Sequence, residues 1–271
     1  LGTGLGILAY YVIPIRKTVT MNNLRLAFPE KTEEERKNIA LGSYKNLSCA
    51  LLEGLWCSRL THDNISDWVT LENGEVLERV LREDKGIIVI GGHFCSWEIM
   101  AFGVPFYARK IFTIIAQRQR NPYVDRYVTA IRTHLGARIV MMERAPREVL
   151  TVLHKKGGVF LLADQSGPED GLFVKFFGHY TSTHKGPAVF SVRTGAPMVM
   201  AYLHRRPEGK FSMEFDALDT SGIVGTDEEK VTAYTKLHVD ALERQIRTHP
   251  ELWLWMHKRW KHQYQESEAV V

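Results

Sequence analysis

Residues 86–92, GIIVIGG, constrain the fold more than any other stretch of this chain. Four consecutive β-branched residues bounded by glycines offer no polar face to water, so the run reads as a strand covered on both sides. Such strands sit in parallel or mixed sheets with helices packed on each face. The pattern then recurs. Strand candidates fall at 111–116, 138–142, 159–163, 198–203 and 211–215, with helix candidates at 75–85, 97–106, 122–135, 145–155, 185–194 and 227–247. The alternation predicts an α/β fold, a mixed and largely parallel sheet flanked by helices. Ahead of it, residues 32–60 read as one long helix. Thr32 and Glu35 form a capping box, and Ile39, Tyr44, Leu47, Leu51 and Leu55 follow at roughly helical spacing. Pro29 stops the segment before that cap, and the polar tail QESEAVV is expected to fray.

A length of 271 residues suits one large α/β domain or two small ones, and 45% hydrophobic with 24% charged residues is the balance of a folded protein. The simplest partition is a single catalytic domain over 18–271 with an N-terminal helical appendage. The first stretch, LGTGLGILAYYVIP, has no charge before Arg16 and Lys17. Its fourteen apolar residues fall short of the roughly 20 that span a bilayer. Two readings compete: the trailing end of a membrane anchor, or a helix lying on the core. The basic pair favours the anchor for residues 1–17, on a cytoplasmic-side flank. A net charge of +4 is too mild to argue for nucleic acid. It fits an anionic membrane surface or substrate if the basic residues gather beside an apolar segment. Cys49, Cys57 and Cys95 make neither a CxxC pair nor an even set, which argues against a disulfide framework or structural zinc.

Ligands of such sheets gather where strands end and helices begin. GGHFCSWE occupies that place after the first predicted strand of the alternating region. Gly91 and Gly92 allow a tight turn and close approach of a ligand, His93 follows, and Glu98 lies five residues on. On a regular helix that step turns about 140°, so the two side chains meet only if His93 sits on the turn and Glu98 in the first helical turn. A carboxylate so placed would fix one imidazole nitrogen as donor and leave the other as a base. HxxxxE by itself is a weak signal, and a polar structural histidine is the plain alternative.

The chain nevertheless resembles the lipid A late acyltransferases, a branch of the glycerolipid and lysophospholipid acyltransferase superfamily, over nearly its whole length. The likeness rests on NNLRLAFPEKTEEER, GGHFCSWE, QRQRNPYVDRYVTAIRTHLGA, the block LLADQSGPEDGLFVKFFGHYTSTHKGPAVFSVRTGAPMV, and PELWLWMHKRWK. It implies transfer of a fatty acyl chain from an acyl carrier protein thioester to a hydroxyl of a lipid A precursor, at the cytoplasmic face of a bacterial inner membrane. His93 would be the general base with Glu98 as its partner. Arg132 and Asp164 are carried over as site residues, with Gln165 beside Asp164 in the ADQ motif. No metal or other cofactor is implied, since a thioester is already activated. Cys95 and Ser96 lie within the motif, but the resemblance gives neither a nucleophilic role. Acyltransfer to another membrane lipid, such as a phosphatidylinositol mannoside or an aminolipid, or from coenzyme A, is the nearest alternative. A thioester hydrolase and an inactive membrane scaffold are more distant ones.

Three further groups carry two readings each. Arg118, Arg120 and Asn121 could grip an anionic head group or the acidic carrier protein, or form a solvated loop. Trp253, Trp255 and Trp260 beside Lys258, Arg259 and Lys261 suit a membrane interface, or pack the core, which Trp253 and Trp255 favour. Phe173, Phe176 and Phe177 could line an acyl channel or fill the core. The eleven histidines are scattered along the chain, and no HExxH or Cys/His cluster argues for a metal.

Overall fold

A computed structural model describes residues 1–263; the tail QESEAVV lies outside them. Two short helices, α1 (Gly2–Tyr11) and α2 (Lys17–Ala27), precede the long α3 (Glu33–Trp56). The capping box is present: the Thr32 hydroxyl accepts from the Glu35 N–H, and the Glu35 carboxylate takes the Thr32 N–H at 2.7 Å. Then follow α4 (Ile65–Trp68), β1 (Val69–Leu71), α5 (Gly74–Leu81), β2 (Ile87–Gly91), α6 (Trp97–Ala108), β3 (Phe112–Ala116), α7 (Pro122–His134), β4 (Arg138–Met141), α8 (Ala145–His154) and β5 (Gly158–Leu162). The chain continues through β6 (Leu172–Phe176), β7 (His179–Thr183), α9 (Gly186–Thr194), β8 (Met198–Arg205), β9 (Phe211–Ala217) and α10 (Asp227–Thr248). Thr226 and Glu229 give α10 a second capping box.

Seven strands form one sheet in the order β1-β9-β8-β2-β5-β3-β4, with every pairing parallel except β8 against β9. The expected α/β class is therefore correct. β2 lies in the middle, and its residues divide between two cores. Ile88 and Ile90 point into a cluster with Tyr44, Val149, Leu153 and Val239, while Ile87 and Val89 join Ile99, Phe102, Phe112 and Phe160 on the other face. Period-two alternation with both sides buried explains why GIIVIGG carries no polar residue. The β6–β7 hairpin and β1 went unanticipated by the sequence pattern. The hairpin packs Phe176 and Phe177 against Trp253, Trp255 and Trp260. All three tryptophans are buried, as are both phenylalanines. The membrane-interface role for the tryptophans does not fit this interior position, and Phe176 and Phe177 pack among them as the core reading expects.

Helix α1 lies along α3 through a narrow stripe. Gly2, Gly6 and Tyr10 are its buried residues. A Cβ on Gly6 would stand 2.4 Å from the Lys45 Cα, so only a glycine lets the two backbones come this close. Outside that stripe α1 is apolar and exposed, including Leu5 and Leu8. No described helix is long and apolar enough to cross a membrane.

Candidate active site

His93 leaves the carboxyl end of β2 in a turn fixed by backbone contacts. The residue that takes up the left-handed conformation there is Cys95, with φ of 46°. Gly91 and Gly92 have no positive φ; a Cβ on Gly91 would meet Leu162 at 2.9 Å and one on Gly92 would meet Phe94 at 3.0 Å. They make room for neighbouring side chains rather than for a ligand. The segment after α10 straps this turn down: the Cys95 N–H donates to the Leu252 carbonyl and the Leu254 N–H to the His93 carbonyl, both at 3.1 Å.

Asp164 reaches His93 from the end of β5. Its Oδ1 lies 2.8 Å from His93 Nδ1, and its Oδ2 accepts the His93 backbone N–H at 2.8 Å and the Trp253 indole N–H at 2.9 Å. The carboxylate is 2% exposed. Burial alone would push its pKa up, but the His93 charge and the hydrogen bonds from His93 and Trp253 outweigh that and hold it low. An ionised carboxylate only accepts, so Nδ1 carries a proton, and in the neutral imidazole Nε2 then presents a lone pair. Gln165 Nε2 stands 3.4 Å from that lone pair. The imidazole is one-fifth exposed, so the ring is not sealed from solvent.

The carboxylate expected on His93 was that of Glu98. Instead Glu98, in the first turn of α6, forms a two-pronged ion pair with Arg132 of α7, at 2.8 Å from Nε and 2.6 Å from Nη2. His93 is on the turn and Glu98 in the first helical turn, as that pairing required, but Asp164 occupies His93 Nδ1 and Arg132 takes both Glu98 carboxylate oxygens. The Trp97 ring sits edge-on to His93, 5.1 Å between centroids, and its indole N–H donates to Glu98 at 3.2 Å. The structure thus builds two linked pairs, His93 with Asp164 and Glu98 with Arg132, bridged by Trp97.

The remaining candidates lie apart. Asn121 caps α7, its side chain accepting from the Tyr123 N–H at 2.9 Å. Arg118 and Arg120 are exposed on the loop between β3 and α7, where with Arg126 they line a surface hollow of about 660 Å³. Cys95 is buried, and burial pushes its thiol up to about 12, so it presents no thiolate nucleophile at neutral pH. Ser96 Oγ is buried without a hydrogen-bond partner among the described residues.

His257 supports the site in a way that the sequence pattern did not reveal. The Ser166 N–H donates to His257 Nε2 at 3.1 Å, fixing the chain just after Asp164 and Gln165. Burial pulls this imidazole down to about 4 against the attraction of Asp164. The fully buried His238 of α10 is likewise pulled down to about 4 by burial, only partly opposed by a backbone contact with Tyr234. Both are neutral in the folded protein, whereas an unfolded histidine titrates near 6.5. Between those values the unfolded chain binds protons that the native one refuses, so stability must fall on acidification. His238 alone is expected to cost on the order of 1 kcal/mol per pH unit between roughly pH 6.5 and 4. Urea midpoints measured at pH 7 and pH 5 check this, and equal midpoints would disprove it.

Comparison with known proteins follows the same lines as the geometry. The family model described as "Bacterial lipid A biosynthesis acyltransferase" matches residues 1–262. The chain is 26% identical to the lipid A biosynthesis palmitoleoyltransferase of Escherichia coli K12, over 96% of this chain and 84% of that one. It is 27% identical to the lipid A biosynthesis lauroyltransferase of the same organism, with the same coverage. A phosphatidylinositol mannoside acyltransferase of Mycobacterium tuberculosis H37Rv is 27% identical over 72% of this chain and 60% of its own length.

Proposed function

Because this chain belongs to the bacterial lipid A biosynthesis acyltransferase family and is an acyltransferase, we propose that it transfers a fatty acyl chain from an acyl carrier protein thioester to a hydroxyl of a lipid A precursor, at the cytoplasmic face of a bacterial inner membrane. His93 is the general base. The acceptor hydroxyl gives its proton to Nε2 as its oxygen attacks the thioester carbonyl; the C–O bond forms, the C–S bond breaks, and the imidazolium returns the proton to the leaving thiolate. Asp164 holds the imidazole in the required tautomer and stabilises its charged form. The observation that carries this reading is the bond from His93 Nδ1 to a buried carboxylate, which leaves Nε2 free. Glu98 and Arg132 position Trp97 and the start of α6, whose first N–H groups are suited to a developing oxyanion. Gln165 yields its contact with Nε2 to the incoming hydroxyl. Arg118 and Arg120 attract anionic groups of donor or acceptor to the protein surface. The mycobacterial relative keeps a mannosylated phosphatidylinositol as the second reading of the acceptor.

Replacing the base tests the chemistry. His93→Ala is expected to lower transfer by about 10²–10⁴-fold with the fold intact. A well-folded variant turning over at the parent rate would remove His93 from the mechanism. Mass spectrometry of lipids from cells with and without the protein then names the acceptor. A gain of one acyl chain on lipid A supports the first reading, and a gain on a mannosylated phosphatidylinositol replaces it with the second.

A further inference from the structure

The large apolar side chains left in water are not scattered. Of sixteen such residues among those described, eight fall in residues 1–15, two on α3 and three on α7. These elements adjoin. Helix α1 lies on α3 through Gly2 and Gly6, and the Tyr127 hydroxyl of α7 donates to the Leu55 carbonyl of α3 at 2.9 Å. Leu51 and Leu55, each about three-fifths exposed, stand one turn apart on α3, and Tyr123 on α7 is 79% exposed. A helix whose buried stripe is two glycines and a tyrosine, and whose other faces are apolar, does not gain stability by facing water. The surface also has a cationic rim. Arg118, Arg120 and Arg126 are exposed and have no ion pair among the described residues. Finally, it borders the reaction site: a Cβ on Gly54, next to Leu55, would lie 4.0 Å from the Glu98 side chain.

We propose that α1, the outer side of α3 and the first turns of α7 form one docking face for a bilayer carrying anionic head groups. The apolar side chains enter the boundary between head groups and acyl chains, and the three arginines meet the phosphates around them. An apolar face alone would fit a second copy of the chain as well. The unpaired cations at its edge favour an anionic lipid surface instead, because two copies would bring like charges together. The proposal deepens the membrane location assigned above by naming the surface, and its location beside Glu98 lets an acceptor lipid reach the site without leaving the bilayer.

The test is co-sedimentation of the whole chain with vesicles of phosphatidylcholine containing phosphatidylglycerol, against pure phosphatidylcholine. Neither acyl donor nor acceptor is present, so failure here does not touch the assignment of His93, and failure of acyl transfer does not touch this result. The expected outcome is binding to anionic vesicles that weakens with salt, with at least tenfold weaker binding for the double variant Leu55→Ser, Tyr123→Ser. Both side chains are exposed, so the variant should unfold at the parent's urea midpoint. Undiminished binding by a folded double variant overturns the proposal. So does a parent chain that ignores vesicles and instead forms a dimer that the double variant loses.

Discussion

Asp164→Asn is expected to slow acyl transfer by roughly 10³–10⁴-fold while leaving the protein folded. The substitution keeps shape and volume, and an amide oxygen can still accept from the Trp253 indole and the His93 N–H that now meet Oδ2. What disappears is the negative charge against Nδ1. Without it the imidazole can adopt the other tautomer, presenting a proton where the acceptor hydroxyl needs a lone pair, and the imidazolium formed during transfer has no counter-charge. The decisive measurement is the single-turnover rate of acyl transfer across a pH series, with Glu98→Gln prepared in parallel. Normal turnover by Asp164→Asn, with the loss falling on Glu98→Gln alone, would return the supporting role to Glu98 and break the assignment made from the 2.8 Å contact.

Arg259→Ala is expected to destabilise the fold by about 3 kcal/mol or more, the largest change among single substitutions outside the site. Arg259 is wholly buried without a carboxylate partner among the described residues. Burial lowers its pKa to about 10 while Asp164 opposes the shift, so it stays charged at neutral pH. Its guanidinium donates to the Ser182 carbonyl and the Thr183 hydroxyl, each at 2.7 Å, and lies over the Phe176 ring at 4.8 Å from the centroid. The Thr181 hydroxyl donates back to the Arg259 carbonyl at 3.1 Å. Alanine would leave those acceptors unpaired in the interior and open a void beneath Phe176. Urea unfolding gives the number directly. A loss under about 1 kcal/mol would mean that water replaces the guanidinium without penalty.

The parts of this protein legible in its sequence are those specified by neighbours along the chain. The capping box at Thr32 and Glu35, the doubly buried strand at 87–91 and the alternation of helix and strand each follow from local spacing, and each is present. His93 was placed on the turn after that strand, where it stands. Its partner was not found by spacing, because the Asp164 contact joins residues 71 apart and periodicity says nothing about tertiary distance. Asp164 entered only through the ADQ motif. The β6–β7 hairpin escaped for a related reason: LFVKF and HYTST are short, and their aromatic residues read equally well as channel or core until the three tryptophans close over them. The terminal motif WLWMHKRW mixes aromatic and basic residues as a membrane interface does, yet Trp253, Arg259 and Trp260 are interior because each finds a partner from another element.

The strap over His93 has a bearing on how the molecule comes into being. Residues 252–254 are made about 160 positions after the turn they clamp, and Trp253 supplies one of the three donors that surround Asp164. A nascent chain can therefore complete most of its sheet on the ribosome while its imidazole and carboxylate are still unfastened. The contacts that hold the imidazole and the carboxylate are completed last, once most of the sheet that carries them has been made.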